Sequence, residues 1–556
     1  MSFRHSVDDD PDGVGQDEPL LAADYSRSSS RPSPTSDTMR ASSLASFRNY
    51  WLASVLCCGG VLFGYDSGVI GGVLTFDSFQ NDFRFGAFGP RSETSVSSIG
   101  VGIQQAGALV GCFAVWPLTN RLGRRIAMMV CSLIFCIGVI LEVINSHSLS
   151  TFYVGRVICG LGIGGSATVI PIYMSEMSPK DSRGRMGSCY QLSYTIGILI
   201  SYWLDYGVKF MKSSSTQWQI PIGMQMLFGA LMGLGMLTLE ESVRWLLFQG
   251  DHERAWKSLT WIRASDSEEV RAEFEEMERG VEVERHATAG FSLQELLEWP
   301  NAHRMLLGFG LFLAQQSTGS TALAYFGPQF FSLLVGSSGN KDLLLTGIFG
   351  AIKVVACFTF VTLVADRFGR RTLLMSGAAF MAACMLTTAA VVKDRPPPGG
   401  GAITSAGIAT VALIYLDIIA YNCSWGPLPW PCTSEIFPTR IREPGVAFGV
   451  GSQWLFNFVW SFSTPYIMSG IGWATFLLFG VFDVIIVIFV FFCVKETAGK
   501  TLEEINALFD SPGSETEISN PPWKGISRQM QPENTLELNE SHGSSSVQGK
   551  SAKYIE

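Results

Sequence analysis

Twelve apolar stretches divide the chain. They lie near residues 50–73, 96–117, 126–146, 151–173, 186–207, 220–240, 304–330, 343–364, 372–392, 404–431, 443–467 and 473–494. A helix that crosses a membrane needs about 20 predominantly apolar residues. Because the runs are continuous, they do not show the alternating pattern of a membrane β-barrel. The pattern predicts an all-α membrane protein with twelve transmembrane helices.

The polar segments between and around these stretches set the predicted domains. Residues 1–48 are rich in Ser, Asp and Arg and predict a disordered cytosolic tail without a signal peptide. Residues 241–303 mix charges with apolar residues at helical spacing, which predicts a cytosolic helical linker. Residues 495–556 predict a second cytosolic tail. The rest of the chain is predicted to form two domains: an N-terminal six-helix bundle (49–240) and a C-terminal six-helix bundle (304–494).

Two charged motifs occur once in each predicted bundle. The sequence RLGRR at 121–125 recurs as RFGRR at 367–371, and a Ser-Glu pair ending at Glu176 recurs at Glu435. Parallel six-helix repeats are a transporter architecture, with the solute site between the halves near the membrane midplane. The repeat therefore predicts two related bundles and a transport function.

Basic residues concentrate in alternate loops. Arg and Lys occur in the loops after spans 2, 4, 8 and 10, whereas residues 147–150 and 468–472 contain none. Because basic loops stay in the cytoplasm, both termini are expected there. We expect a multi-pass protein of the plasma membrane.

Composition argues against several other functions. The chain is 47% hydrophobic and 16% charged, and its net charge of −9 argues against a nucleic-acid partner. A glycine pattern at 160–165 matches a dinucleotide motif but lies inside an apolar span with no preceding strand, so it favours close helix packing. Neither a nucleophile, a metal cluster nor a phosphate-binding loop is recognisable outside the membrane. We therefore expect no enzyme activity, cofactor or metal.

Ionisable side chains at membrane depth are expensive and therefore functional candidates. The predicted spans include the following ones: Asp66, Glu142, Arg156, Lys353, Asp417 and Asp483. Glu142 and Asp483 fit helix-packing positions, whereas Lys353 and Asp417 are candidates to face an internal cavity.

Asp66 and Arg156 are predicted to lie at the same depth. With a rise of ~1.5 Å per residue, each is roughly 8–10 Å from the outer end of its span. Opposite charges at one depth can pair, which offsets the cost of burial. Two roles fit such a pair: a proton-coupling site that opens when Asp66 binds a proton, or a permanent salt bridge that only holds two helices together.

Buried amides and aromatic rings suggest a site for a polar solute. Gln315 and Gln316 lie about 18 Å deep in span 7, Gln453 about 15 Å deep in span 11, and Gln191 less deep in span 5. An amide donates and accepts hydrogen bonds, matching the hydroxyls of a neutral polyol. Aromatic rings that can cover its CH groups are Phe63, Tyr325, Trp430 and Trp454. One buried Gln more often bonds a neighbouring helix, but four in both halves favour a solute cavity.

Span 10 contains three prolines within five residues: Pro427, Pro429 and Pro431. Proline removes a helical hydrogen bond and breaks or kinks the helix. This pattern has two interpretations: a hinge that moves Trp430 during gating, or a fixed kink.

Several motifs together are similar to those of one family. They are LFGYDSGVIGG (62–72), RLGRR (121–125), GRVICGLGIGG (155–165), PIYMSEMSPKDSRGR (171–185), QQSTGSTALAYFGP (315–328), ADRFGRR (365–371), WGPLPWPCTSEIFPTRIR (425–442) and KETAGKTLEEI (495–505). Over residues 50–508 the chain resembles the sugar porter family of the major facilitator superfamily, especially its fungal monosaccharide transporters. The resemblance implies alternating access by two six-helix bundles.

The resemblance also implies residue roles. Asp66 matches the family's proton-accepting Asp, and Arg156 matches its partner. Positions that match family sugar ligands are Gln191, Gln315, Gln316, Trp430 and Gln453. Thr321 stands where the family usually has an Asn that contacts the sugar. The motifs imply a cytosolic salt-bridge network that stabilises the outward-facing state, formed by Arg121, Arg124, Arg125, Glu176, Arg183, Arg185, Asp366, Arg367, Arg370, Arg371, Glu435, Arg440 and Arg442.

The expected function is proton-coupled symport of a monosaccharide (a hexose or pentose) or a related polyol. The expected partners are a small neutral polyhydroxylated solute, protons and membrane lipid, with the protein acting as a monomer. Two alternatives stay open: an uncoupled facilitative carrier and a non-transporting sugar sensor. Retention of Asp66 and Arg156 argues against the first, and the short C-terminal tail argues against the second. The sequence leaves the identity of the sugar open.

Overall fold

A computed structural model describes residues 36–84, 90–144, 147–179, 183–336, 341–364, 367–397, 404–498, 504–505 and 509. Across these residues every regular element is a helix and none is a strand. The predicted all-α class is confirmed.

The described residues form twelve helical spans. Spans 1 to 6 are Ser36–Val73, Pro90–Leu122, Arg124–Val143, Leu149–Met177, Arg183–Val208 and Ser215–Met236. Span 7 consists of Trp299–Ser317, Ser320–Tyr325 and Gly327–Val335. Spans 8 and 9 are Lys341–Thr359, which continues as the π-helical turn Phe360–Val364, and Arg370–Asp394. Span 10 consists of Ser405–Asn422 and Pro429–Ile436, and spans 11 and 12 are Arg442–Ile471 and Ala474–Cys493.

Nine helices of the described chain are long and apolar enough to cross a membrane by themselves. The other three spans, 5, 7 and 11, carry the predicted glutamine ligands. Span 7 is also interrupted at Gly319, whose φ of +84° is a backbone conformation that favours glycine. These spans are less apolar because their polar side chains face other helices rather than lipid.

The two halves repeat the same helix pairings. Span 1 packs on span 5 and span 3 on span 6, as span 7 packs on span 11 and span 9 on span 12. Spans 2 and 11, and spans 5 and 8, pack across the interface between the halves. The predicted two-bundle major facilitator fold is confirmed.

Spans 2 and 4 approach closely through glycines of the motif at 160–165. A Cβ on Gly160 would lie 2.2 Å from the Gln104 carbonyl oxygen, and one on Gly164 would lie 2.0 Å from that of Ala108. A side chain at either position would force the two helices apart. The helix-packing interpretation of this motif is confirmed.

One end of the bundles, called here the linker side, carries four further helical segments. They are Val243–Gln249, His252–Arg263, Glu268–Thr288 and the 3₁₀ turn Leu293–Leu297. The opposite end is called the far side. The linker is therefore helical, as its apolar spacing predicts.

The first helix begins earlier than predicted. Residues 36–48, assigned above to a disordered tail, are helical and continue into span 1. Arg48 holds this extension against the linker, because its guanidinium lies 5.0 Å from the Trp261 ring centroid and donates to the Trp261 carbonyl oxygen. Residues 1–35 and 511–556, also predicted to be disordered, lie outside the described residues.

Candidate functional site

Asp66 and Arg156 form the predicted pair. Arg156 Nη1 lies 3.2 Å from Asp66 Oδ1, and the side chains are 1% and 2% exposed. Two neighbours fix the geometry: the Gln104 amide donates to Asp66, and Arg156 Nε donates to the Gly100 carbonyl oxygen at 3.1 Å. Spans 1, 2 and 4 thus meet at one buried charge pair.

Glu142 adds a second carboxylate to this pair. Its Oε1 lies 3.8 Å from the same Arg156 Nη1, and Gln225 Nε2 donates to its Oε2 at 3.0 Å. Glu142, predicted to be a helix-packing residue, thus also lies within ion-pair distance of Arg156. Its position in the sequence does not show this pairing, because only the packing of span 3 on span 4 brings Glu142 to Arg156.

These residues, Asp66, Gln104, Glu142, Arg156 and Gln225, are called the ion-pair cluster. Two carboxylates share one guanidinium in surroundings that water barely reaches. Two ionised acids would leave an uncompensated negative charge, which is costly in a buried site. The cluster is thus chemically suited to bind one proton.

Aromatic side chains join the two halves beside this cluster. The Phe63 ring lies 4.8 Å from the Tyr194 ring and 5.2 Å from the Trp454 ring, measured between centroids. Phe63 and Tyr194 belong to the N-terminal half and Trp454 to the C-terminal half. Tyr325 is 2% exposed and lies within electrostatic range of both Asp66 and Arg156. A solute held at these rings would lie next to the ion-pair cluster.

Buried amides of spans 7 and 11 present free acceptors. Gln316 and Gln453 are 3% and 6% exposed, and within the described chain their carbonyl oxygens accept no hydrogen bond. Asn457, one helical turn after Gln453, donates to the Tyr325 hydroxyl at 3.3 Å and keeps its own oxygen unpaired among the described residues. Sequence reasoning missed Asn457, although its spacing of four residues from Gln453 places both on one helix face.

Gln315 points elsewhere than its neighbour. Its Nε2 donates to the carbonyl oxygens of Trp425 and Gly426 at 2.9 and 3.1 Å. Both carbonyls belong to the non-helical stretch 423–428, at which span 10 breaks just ahead of its prolines. Gln315 therefore ties span 7 to the break in span 10, and its remaining oxygen is unpaired within the described structure.

Three other predicted ligands are half-buried. Trp430 follows the break in span 10, with its ring 5.3 Å from that of Phe312. Thr321 lies in hydrogen-bond range of the Tyr421 hydroxyl, and Gln191 lies on span 5. Tyr421 and Tyr194 are aromatic residues that the sequence did not single out as ligands.

On the linker side, both halves carry the same salt-bridge arrangement. Arg124 donates to Glu176 through Nε and Nη2 at 3.1 and 3.0 Å, and Arg370 donates to Glu435 at 3.0 and 2.8 Å. Further carboxylates accept from the backbone N–H groups of the two arginine motifs: Glu241 in the first half and Glu496 in the second. These two acids were not predicted; each stands in a motif that follows the last span of its half.

The other predicted network residues divide into three groups. Arg125, Arg371 and Arg442 donate to backbone carbonyls. Arg440 binds Glu295 of the linker at 2.7 and 2.9 Å, and this guanidinium, by hydrogen bonding, lowers the pKa of the Glu295 carboxyl. The exposed side chains that form no ion pair with a described residue are Arg121, Arg185 and Arg367.

The predicted place of Arg121, Arg185 and Arg367 in the salt-bridge network therefore stays a prediction. Each lies at the end of a span or in a turn with its side chain in solvent. Two further predictions fall outside what is described: Asp366 and the side chain of Arg183.

Comparison with known proteins decides the family. The family model described as "Sugar (and other) transporter" matches residues 52–509. The chain belongs to this sugar transporter family. It is similar to the quinate permease of Emericella nidulans, with 34% identity over 524 residues that cover 92% of this chain and 96% of the relative. The family members it resembles are permeases, so this chain is a multi-pass membrane transporter-family protein and not an enzyme.

Solved structures of this family share the fold. The chain is similar to the major facilitator proton:xylose symporter XylE bound to 6-bromo-6-deoxy-D-glucose, with a TM-score of 0.68 and 25% identity over 84% of this chain and all of that chain. The inward-open conformation of XylE from E. coli matches with a TM-score of 0.69 and 24% identity over 83% of this chain and all of that chain.

Proposed function

We propose that this protein is a proton-coupled symporter that carries a small polyhydroxylated solute, a monosaccharide or related polyol, by alternating access. The observation that carries the proposal is the ion-pair cluster, in which Asp66 and Glu142 compete for Arg156. Tyr325 connects it to the central rings and amides. The sugar transporter family and the proton:xylose symporter among the similar structures support it.

A proton on Asp66 removes one of the two charges that hold Arg156. The guanidinium then shifts toward Glu142, whose oxygen is 3.8 Å away. Because Asp66 and Arg156 lie on spans 1 and 4, this exchange loosens a contact within the N-terminal half. Tyr325 belongs to the other half and lies within electrostatic range of both groups. Proton binding and solute binding thereby act on the same interface.

Contacts between the halves close the far side. On the far side, Gln329 Nε2 donates to the Gly71 carbonyl oxygen at 3.3 Å and the Tyr202 hydroxyl donates to that of Ala324 at 2.6 Å. These contacts close the far side between spans 1, 5 and 7. With both termini in the cytoplasm of a plasma-membrane protein, as the basic loops indicate, the far side is extracellular.

Uptake into liposomes that contain the full-length protein tests the proposal. Labelled glucose, xylose, inositol and quinate are offered with and without an inward proton gradient. Asp66→Asn should abolish gradient-driven accumulation and keep solute exchange, because the neutral side chain cannot bind and release a proton. Asp77→Asn is the matched control, since Asp77 is an exposed acid on the far side.

Three other results would each contradict part of the proposal. Unchanged accumulation by Asp66→Asn excludes Asp66 as the proton site. Downhill uptake that ignores the gradient in the wild type identifies an uncoupled carrier. Specific solute binding without any uptake identifies a sensor.

A further inference from the structure

Lys353 is a buried cation at the interface between the halves. It lies on span 8 and is 3% exposed. Its Nζ is 5.8 Å from the centroid of the Tyr194 ring, which belongs to span 5 of the opposite half. Since Tyr194 contacts Phe63, and Phe63 contacts Trp454, Lys353 borders the same group of rings that lines the candidate solute site.

Among the described residues, Lys353 has no carboxylate partner. No described Asp or Glu is close enough to its ammonium to form an ion pair, and the neighbouring ionisable group is the thiol of Cys357, one turn along the helix. Arg156, by contrast, is equally buried and has two carboxylates. An ammonium at membrane depth is costly without an anion, and such residues mark substrate or ion pathways. The face of Tyr194 compensates only part of that cost.

We propose that Lys353 binds a carboxylate of the transported polyhydroxylated solute, so that this protein carries a hydroxylated carboxylate. The proposal rests on the transport function proposed above and names its solute class. It adds one negative charge to the hydroxyls that the buried amides match.

The surrounding groups fit the rest of such a solute. Gln316, Gln453 and Asn457 offer amide oxygens that are unpaired in the described structure and can accept from hydroxyls. The rings of Phe63 and Tyr194 offer apolar faces for a carbon ring. Quinate, named for a relative of 34% identity, combines these features, because it is a cyclohexane ring with several hydroxyls and one carboxylate.

Quinate and its methyl ester test the proposal, because they share the hydroxylated ring and differ in the negative charge. Each is offered to the full-length wild type in liposomes, and its KM for uptake is measured, with labelled inositol as a neutral polyol. The wild type should prefer quinate over the ester by about tenfold or more, as expected for a hydrogen bond to a charged group. This comparison needs no variant.

Lys353→Gln should remove that preference by raising the KM for quinate about tenfold, with little change for the ester. Lys353→Arg keeps the positive charge and should therefore keep part of the preference for quinate over its ester. The matched control is Lys393→Gln, because Lys393 also lies on an aromatic ring, 5.1 Å from Trp473, but is exposed. A purely structural Lys353 would change the uptake of both solutes alike.

Each contrary outcome has its own meaning. Equal KM values for quinate and its ester in the wild type, or an unchanged ratio in Lys353→Gln, overturn the carboxylate site. Uptake of inositol without uptake of quinate also overturns it and leaves the proposed transport function standing. Absence of uptake for every solute refutes the transport function itself, and the carboxylate site with it.

Discussion

Gln315 and Gln316 are adjacent and chemically identical, and the structure predicts opposite effects for their removal. Gln315 donates to two backbone carbonyls at the break in span 10. Gln316 is buried, and its carbonyl oxygen accepts no hydrogen bond from a described residue. The same substitution at the two positions therefore separates a residue that supports the fold from one that contacts the solute.

The magnitude for Gln315 follows from the two carbonyls that it serves. Gln315→Ala leaves both without their donor inside the protein, and a buried unsatisfied group costs about 1–3 kcal/mol. For two such groups we expect a loss of roughly 2–6 kcal/mol in stability, which lowers Tm by several degrees. Because span 10 loses its tie to span 7, the maximal uptake rate should fall more than the KM changes.

Gln316→Ala should behave in the opposite way. Loss of a hydroxyl contact worth about 1.4 kcal/mol raises the KM for the solute about tenfold, while Tm stays close to that of the wild type. Thermal unfolding of purified protein in detergent and uptake kinetics in liposomes measure both quantities. If Gln315→Ala keeps the wild-type Tm and alters only the KM, the inferred support of span 10 is refuted.

Two further predictions concern the linker side. Arg124→Ala should lower Tm more than Arg370→Ala, because the Arg124–Glu176 pair is 13% and 8% exposed and the Arg370–Glu435 pair 26% and 25%; equal shifts would contradict this reasoning. The second concerns Arg440, which lowers the pKa of Glu295. A carboxyl with a lowered pKa keeps its contact above the ordinary value of about 4.3 and loses it as pH falls through the lowered pKa. Hydrogen exchange of residues 293–297, corrected for intrinsic rates, should therefore rise at acidic pH, and Arg440→Ala should show that faster exchange already at neutral pH.

Depth along a helix can be read from the sequence, but direction around the helix cannot. Asp66 and Arg156 were paired by counting residues from the ends of their spans, and the structure brings them to 3.2 Å. Glu142 required knowing which face of span 3 meets span 4. Lys353 required knowing that span 8 of one half packs on span 5 of the other.

The same limit explains the glutamines. Four amides in both halves predicted a polar site, and within the described chain the carbonyl oxygens of Gln316 and Gln453 accept no hydrogen bond. Gln315 differs because span 10 breaks at residues 423–428 and exposes two carbonyls beside it. Three prolines indicated the break, but not which side chain would bond to it.

The amino-acid sequence by itself determined the membrane class, the number of spans, the two-fold repeat and the family. Each span must satisfy its own backbone hydrogen bonds within an apolar solvent, so its length is visible as a continuous apolar stretch. Tertiary structure decided which buried charges meet. Contacts between helices depend on their rotation and on the close approach that glycines such as Gly160 permit. Only packing therefore gives Arg156 two carboxylates and leaves Lys353 beside an aromatic ring.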